Sequence, residues 1–177
     1  MLITDRIELR RARPDDARAL LDATLRNIEH LRATEPYRPA EYYTVETQRA
    51  RTTEANSVTW LLWDGERVIG RLMLTGIVLG PLCSASLGYW VDAAYRGRGL
   101  VPAAVEEIVR VCRDELGLHR VEAGTLTDNK ASQRVLAKCG FVEYGKAPRY
   151  LHIDGAWRDH VLFQRILHDD PPPHVPS

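Results

Sequence analysis

The sequence has few cysteines and no excess of charge of either sign. Cys83, Cys112 and Cys139 are odd in number, lie far apart and form no Cys-x-x-Cys pair. Neither a disulfide framework nor a zinc site is indicated, so we expect buried, reduced thiols. The 24 basic and 24 acidic residues give a formal charge of zero, so no overall basic field is present to attract nucleic acid.

Long apolar runs are also missing. The first residues have no basic start and no apolar segment reaches the length of a membrane helix, so we expect neither a signal peptide nor a membrane partner. The expected location is the cytoplasm. At 177 residues, 45% hydrophobic and 27% charged, the chain fits one globular domain, which we place at residues 1–167. Residues 168–177 are proline-rich and are predicted to be a disordered tail.

The most informative stretch is residues 87–101, where an apolar aromatic run meets a turn containing Gly97 and Gly99 and then a helical pattern. Glycines let the backbone approach a ligand closely, and the N–H groups that open a helix favour an anion. The turn therefore predicts a phosphate site, although a tight strand-to-helix connection has the same pattern. It is neither Gly-x-Gly-x-x-Gly nor a Gly-Lys-Ser/Thr loop, which argues against a dinucleotide fold and a nucleoside-triphosphatase.

Periodicity predicts the remaining elements of an α/β fold. Alternating and β-branched runs predict seven strands, at residues 6–13, 58–63, 67–78, 87–91, 119–126, 141–153 and 160–167. Helical spacing predicts helices after Pro14, over residues 40–54, from the glycine turn to near Gly117, and over residues 129–139. Residues 27–39 contain two prolines and are predicted to be a loop, and Asp64-Gly65 and Asp154-Gly155 predict hairpins. The order is β-αα-βββ-α-β-α-ββ, a mixed sheet of about seven strands and about four helices.

Several motifs, in this order, resemble the GNAT superfamily of N-acetyltransferases, and most closely its RimJ/RimL-type ribosomal-protein-alanine branch. The resemblance covers residues 6–166 and implies a single-domain fold with a mostly antiparallel sheet. The motifs are Gly88-Tyr89-Trp90-Val91, Arg96-Gly97-Arg98-Gly99-Leu100-Val101, Asn129-Lys130-Ala131-Ser132, Cys139-Gly140-Phe141, the closing hairpin at residues 150–162 and the helix-loop at residues 27–36.

The resemblance implies acetyl-coenzyme A as cosubstrate, with no metal, bound where strand four separates from strand five. Its pyrophosphate would lie on the N–H groups of Arg96, Gly97, Arg98, Gly99, Leu100 and Val101. Val101 replaces the small residue that the family pattern usually has. The backbone of Val91 would pair with the pantetheine arm and donate to the oxyanion, while Trp90 and Tyr89 would point to opposite faces and one of them would line the acceptor site.

Acyl transfer from a thioester to an amine requires a neutral amine, a stabilised oxyanion and a proton for the thiolate. Ser132 follows Asn129 by three residues, so both face one side of a helical turn. By the resemblance, Ser132 would reach the coenzyme sulfur and Asn129 would bond the pantetheine. The same spacing also fits a simple helix cap.

The acceptor side depends on weaker signals. Glu35 would act as the base through a water molecule. Together with Tyr37, Tyr89 and Tyr150 it would line the substrate site. A solvated carboxylate and tyrosines packed in the core or at its edge explain these residues equally well. Asp159 and His160 resemble family residues on the closing strand, where a histidine is usually structural or on the surface.

The leading hypothesis is acetylation of a primary amine, preferably a protein N-terminus beginning with a small residue. An α-amine with a pKa of about 7.7–8.0 is partly neutral near pH 7, whereas lysine at about 10.4 is not. An alternative acceptor is a small-molecule amine such as an antibiotic or a polyamine, which an acidic channel formed by Glu29, Glu35 and Glu41 would favour. A non-catalytic coenzyme-binding scaffold or sensor is a third possibility. We expect a monomer or homodimer without a direct nucleic-acid partner.

Overall fold

The computed structural model describes residues 1–172. Seven strands are present: β1 (Ile7–Arg11), β2 (Val58–Asp64), β3 (Arg67–Val78), β4 (Ser84–Val91), β5 (Arg120–Leu126), β6 (Val142–Ile153) and β7 (Ala156–Ile166). The α-helices are α1 (Ala17–Arg26), α2 (Ile28–Arg32), α3 (Val45–Arg51), α4 (Leu100–Asp114) and α5 (Lys130–Lys138). Single 3-10 turns occur at Pro14–Asp16, Ala40–Tyr43 and Ala93–Tyr95. Within the described part of the chain, no helix is both long and apolar enough to span a bilayer.

All seven strands form one sheet in the order β1-β2-β3-β4-β5-β7-β6. Every neighbouring pair is antiparallel except β4 and β5, which are parallel and connected through α4. The prediction of a mixed, mostly antiparallel seven-stranded α/β fold is therefore confirmed. The parallel pair is short, because Ser84 to Ser86 pair with Arg120 to Glu122 and no pairing follows between the strands beyond that point.

The sheet is covered by helices on both faces, and successive residues of a strand point to opposite faces. On one face, Leu87 of β4 and Val161 of β7 pack in a core with residues of α4 and α5. On the other face, Trp90 of β4 packs with Leu20 of α1 and Leu31 of α2. Even-numbered residues at the end of β4 therefore face α1 and α2, and odd-numbered ones face α4 and α5.

Four predicted elements differ from the observed ones. The helix predicted over residues 40–54 is interrupted at Thr44, whose extended backbone and side-chain oxygen cap α3. The predicted loop at residues 27–39 contains α2. Strand β4 begins at Ser84 rather than residue 87, and β7 begins at Ala156 rather than residue 160. Both extensions take part in the sheet because their backbones pair with neighbouring strands.

The two predicted hairpins both form, but one turn is shifted. Asp64 pairs with Arg67, so the β2–β3 turn is formed by Gly65 and Glu66 rather than by Asp64-Gly65. The closing turn at Asp154-Gly155 is confirmed. It requires positive φ at both positions, 50° and 77°, as expected for the tight turn that matches strand twist.

The cysteines and the chain end complete the fold. Cys83, Cys112 and Cys139 are free and buried, and burial raises the pKa of Cys112 to about 12. Residues 168–172 form no helix or strand, and the remainder of the predicted tail, residues 173–177, lies outside the described residues.

Candidate active site

The centre of the site is the opening between β4 and β5. Asp92 donates its N–H to the Ile69 carbonyl at 2.7 Å, so Gly70 and Val91 form a pair without mutual hydrogen bonds in the antiparallel ladder of β3 and β4. The N–H and C=O of Val91 consequently point away from β3 and into the opening. The end of β4 therefore offers an unpaired strand edge to an extended ligand.

The glycine turn follows directly after this strand end. Gly97 and Gly99 have φ of 72° and 74°, and a Cβ at either position would meet nothing within 4 Å. Gly99 caps α4. Within residues 1–172, none of the N–H groups at positions 97–101 donates to a protein acceptor. Positive φ and free N–H groups at a helix start are the features of an anion site, so the predicted phosphate cradle has a suitable geometry.

Charged side chains hold the turn in place. Buried Asp92 accepts hydrogen bonds from Arg26 at 2.8 Å and from the Ala94 N–H at 3.1 Å. Burial alone raises the pKa of Asp92, but these hydrogen bonds outweigh it and the net shift is downwards. Arg98 lies over the Tyr95 ring, 4.7 Å from its centroid, and Arg96 contacts His30. Both arginines therefore remain at the exposed rim of the turn.

On the α4/α5 face, Tyr89 and Ser132 form a hydrogen-bonded pair. Their hydroxyl oxygens are 2.8 Å apart, and burial raises the pKa of Tyr89 to about 12. Asn129 caps α5 by accepting the Ser132 N–H at 3.1 Å, so the capping interpretation of this spacing holds, while its side-chain NH2 stays available as a donor. Thr125, opposite on β5, has a buried hydroxyl without a partner among residues 1–172. This face therefore presents several hydroxyl and amide groups beside the opening.

On the α1/α2 face, Glu35 is bound to a buried arginine. Arg71 Nη2 lies 3.3 Å and 3.4 Å from the two carboxylate oxygens of Glu35, and Nη1 donates to Tyr42 at 3.0 Å. Burial lowers the pKa of Arg71, but the opposite effect of Glu35 and Tyr42 is larger, so the pKa is raised overall. Arg71 pairs with Trp90 across the sheet, so Glu35 lies above β3, next to the end of β4.

A cavity of about 280 Å³ lies beside this ion pair. The Tyr37 N–H donates to the His152 carbonyl of β6 at 3.4 Å, whereas Glu35 contacts β3. The cavity therefore lies between the segment that follows α2 and the tip of the β6–β7 hairpin. The lining residues are Thr24, Ile28, Leu31, Arg32, Glu35, Pro36, Tyr37, Arg38, Tyr42, Tyr43, His152, Asp154 and Gly155. The cavity is thus aromatic and contains charges of both signs.

The closing hairpin places Tyr150 against His160. Their ring centroids are 5.3 Å apart, and His160 is buried on the α1/α2 face. The structure therefore brings Glu35 and Tyr37 together at the cavity and places Tyr150 on the same face. It does not bring Tyr89 together with them, because Tyr89 lies on the opposite face beside Ser132.

Arg71 and Thr125 were not among the predicted site residues, and His160 was noted only for its resemblance to a family residue, with a structural or surface position as the usual explanation. Arg71 had a signal, because it is a single arginine within the apolar run of β3 and a buried charge requires a partner. Thr125 and His160 are ordinary strand residues whose position depends on the sheet. Within residues 1–172, no group of histidine, cysteine or acidic side chains could hold a metal ion.

The chain is similar in sequence and fold to known acetyltransferases. The family model for the acetyltransferase (GNAT) domain matches residues 6–142. The ribosomal protein uS5-alanine N-acetyltransferase of Escherichia coli is 31% identical over 170 residues, which cover 91% of this chain and 88% of that protein.

Solved structures extend the similarity. The ribosomal-protein-S5-alanine acetyltransferase of Vibrio fischeri is 29% identical with a TM-score of 0.90, covering 96% of this chain and 97% of that one. RimJ of Mycobacterium smegmatis, solved in complex with CoA-disulfide, is 32% identical with a TM-score of 0.82, covering 90% of this chain and 81% of that one.

Proposed function

We propose that this chain, which belongs to the GNAT family of acetyltransferases, transfers an acetyl group from acetyl-coenzyme A to the α-amine of a protein N-terminus. The observation that carries the proposal is the opening between β4 and β5. It separates an anion-binding turn and a hydroxyl pair on one side from an aromatic cavity on the other. Two substrates can therefore approach one point from opposite faces. We expect the enzyme to act in the cytoplasm.

The residues present fit coenzyme A. The free N–H groups at positions 97–101 suit its pyrophosphate, and the outward N–H and C=O of Val91 suit the amides of its pantetheine arm. The Thr125 hydroxyl, which has no partner among residues 1–172, and the Asn129 NH2 would offer hydrogen bonds to further polar groups of that arm. Arg96 and Arg98, at the exposed rim, would add positive charge beside the phosphates.

Acetyl-coenzyme A, when bound, supplies a thioester whose carbonyl carbon accepts the amine nitrogen. The Val91 N–H points into the opening, so it would donate to the carbonyl oxygen as negative charge develops there. Tyr89, whose pKa of about 12 keeps it protonated, would donate to Ser132 Oγ. The Ser132 proton is then directed outwards and available to the departing sulfur.

The charges on the acceptor side favour a peptide over a polyamine. Glu29 and Glu41 are exposed and do not line the cavity, and Glu35 is neutralised by Arg71. The other charged lining residues are Arg32, Arg38 and Asp154. An acidic channel, which a polycation would require, is therefore not formed by the predicted glutamates. The aromatic lining suits a peptide backbone with small side chains.

An acceptor panel tests the proposal. Pure protein and acetyl-coenzyme A are incubated with peptides beginning with alanine, serine or methionine, an N-terminally blocked lysine peptide, spermidine and an aminoglycoside, and coenzyme thiol release is measured. We expect the alanine peptide to have the highest kcat/KM. Preference for spermidine or the aminoglycoside would support the small-molecule alternative, and coenzyme binding without turnover on any amine would support the scaffold.

Replacement of Ser132 tests the assigned acid. Ser132→Ala should lower kcat by about 10²-fold, the usual contribution of a positioned proton donor, while calorimetry shows unchanged coenzyme affinity. Ser57→Ala, in the loop before β2, serves as the matched control and should change neither quantity. Turnover of Ser132→Ala equal to wild type would remove the serine from the mechanism.

A further inference from the structure

We propose that His160 is the catalytic base, taking a proton from the acceptor's ammonium group at an entrance framed by Gly88 and Gly124. The inference rests on the proposed function and identifies the group that deprotonates the acceptor amine. Glu35 does not suit this role, since both of its carboxylate oxygens lie within 3.4 Å of Arg71. We assign Glu35 to the wall of the acceptor channel instead.

The register places His160 at the height of the reacting centre. Ser84 pairs with Arg120 and Ser86 with Glu122, so continuing the count sets Trp90 opposite Leu126. Leu126 in turn pairs with His160 on β7. His160 is therefore on the second strand from β4, across the opening, and level with the strand end that offers the Val91 N–H.

The side chain of His160 faces the acceptor side. Its neighbours along β7, Val161 and Phe163, pack in the core with α4 and α5, so the alternation of the strand directs His160 to the α1/α2 face. Ser132 and Tyr89 are on the opposite face. The proposed base and the proposed acid are thus on opposite sides of the opening, as a transfer between two substrates requires.

The backbone defines which ring nitrogen can accept a proton. His160 Nδ1 lies 3.1 Å from the Arg158 carbonyl oxygen. A carbonyl only accepts hydrogen bonds, so Nδ1 carries the proton and Nε2 has the lone pair in the neutral ring. This anchor also fixes the ring orientation, with Cδ2, the carbon bonded to Nε2, close to Gly124.

His160 is 3% exposed, and two glycines border the space between its ring and the opening. Gly88 of β4 and Gly124 of β5 are exposed, lie opposite each other in the continued register and both face the α1/α2 side. A Cβ at Gly88 would meet nothing within 4 Å, and one at Gly124 would lie 3.6 Å from His160 Cδ2. Any side chain at either position would narrow the space between His160 and the opening.

A bulge in β6 holds Tyr150 over the histidine. Ala147 pairs with His160 and Leu151 with Arg158, so three residues of β6 face the single residue Asp159. The Asp159 carboxylate accepts the Arg149 N–H at 2.8 Å, at a residue with φ of 50°. Tyr150 is half exposed, so its ring forms one wall of the entrance rather than part of the core.

The proton transfers balance. The ammonium gives one proton to Nε2, which later releases it to solvent, and the neutral nitrogen then attacks the thioester carbonyl. The C–N bond forms, the C–S bond breaks, and the departing thiolate takes the proton held by Ser132. The nitrogen then loses a second proton, which passes through the active-site hydroxyls and solvent and restores the Ser132 hydroxyl. The products are an amide, a thiol and one released proton.

His160→Asn tests the base, because an asparagine amide can still donate to the Arg158 carbonyl but has no basic nitrogen in place of Nε2. Two acceptors are compared at pH 7: a peptide with an N-terminal alanine, and an aminooxyacetyl peptide whose nitrogen is already neutral. The variant should lose about 10²-fold in kcat/KM with the alanine peptide and less than about fivefold with the aminooxy peptide. His119→Gln is the matched control, because His119 immediately precedes β5, whereas His160 pairs with Leu126 at the last residue of that strand.

Equal losses with the two acceptors, or no loss with either, would overturn the proposal. Gly88→Val provides a second variant, at an exposed position where an added Cβ meets nothing within 4 Å. It should raise KM for the peptide by about tenfold or more and leave coenzyme affinity unchanged. An unchanged KM would overturn the placement of the entrance.

A measurement without any acceptor separates this inference from the proposed function. Nitrogen-detected NMR of labelled histidine at pH 8 should show His160 with Nδ1 protonated and Nε2 unprotonated, and the opposite tautomer would overturn the proposal. Wild-type protein that acetylates no amine would overturn the proposed function, and the NMR result would still decide the state of His160.

Discussion

Replacing Glu35 with glutamine should destabilise the protein as well as slow it. The Arg71 side chain is 6% exposed and its only charged contact within residues 1–172 is Glu35, which is 24% exposed. Glutamine keeps the shape of the side chain but removes the negative charge. The variant therefore leaves a buried guanidinium with a neutral amide and the Tyr42 hydroxyl as partners.

The magnitude follows from the burial of Arg71. Breaking a buried ion pair by removing one partner costs about 3–5 kcal/mol, and we expect about 3 kcal/mol because Glu35 retains contact with water. For a protein of this size each kcal/mol corresponds to about 2–4 °C in Tm, so the melting temperature should fall by about 6–12 °C. The control Glu41→Gln changes an exposed carboxylate on the same segment and should stay within about 0.5 kcal/mol.

A double-mutant cycle distinguishes a structural Glu35 from a catalytic one. Urea unfolding and kcat/KM are measured for Glu35→Gln, Arg71→Met and the double variant. Removing both charges should recover at least about 2 kcal/mol of the loss in stability and much of the activity. Unchanged stability of Glu35→Gln together with a loss of activity that Arg71→Met does not reverse would refute this reasoning and restore Glu35 as the base.

Two further predictions concern the coenzyme side of the site. Gly99→Asp should lower coenzyme affinity by more than about tenfold in calorimetry, because it places a carboxylate beside the N–H groups that receive the phosphates. Gly65→Asp introduces the same residue at an equally left-handed glycine in the β2–β3 turn, and the placement fails if both variants bind alike. Asp92→Asn tests the anchor of the glycine turn. The pKa of Asp92 is lowered in the folded state. The ionised carboxylate therefore stabilises the folded protein above the unfolded pKa of about 3.9, and this stabilisation is lost as the pH falls below that value. Wild type and variant should therefore differ in urea stability at pH 7 and converge near pH 3, and an equal difference at both pH values would contradict the assignment.

Much of the fold was readable from local patterns. Alternation in β1, the β-branched and aromatic run of β2, helical spacing in α1 and α4, and the Asp154-Gly155 turn each depend on residues close together in sequence. The errors arose where an element's backbone, rather than its side chains, determines the structure. Residues 84–86 are Ser-Ala-Ser, which has little strand character of its own, and they form a strand because β3 and β5 supply hydrogen-bonding partners.

The site was readable in part for the same reason. The glycine turn and the Asn129–Ser132 spacing are local, so their geometry could be anticipated. The contacts of Glu35 with Arg71 and of Tyr89 with Ser132 could not, because each joins residues that are distant in the chain. Sequence spacing shows which residues share a helical turn or a strand face, but not which face of the sheet receives which substrate.

The sequence by itself determined the order of elements and the glycine turn that opens α4, because short-range spacing encodes both, and its motifs in order carried the resemblance to an acetyltransferase family. The tertiary structure alone decided where β4 and β5 separate, that Tyr89 faces Ser132 while Trp90 faces α1, and that Arg71 binds Glu35. These features arise from strand register and side-chain alternation across strands far apart in the chain. A shift of one residue in that register would have exchanged the two faces.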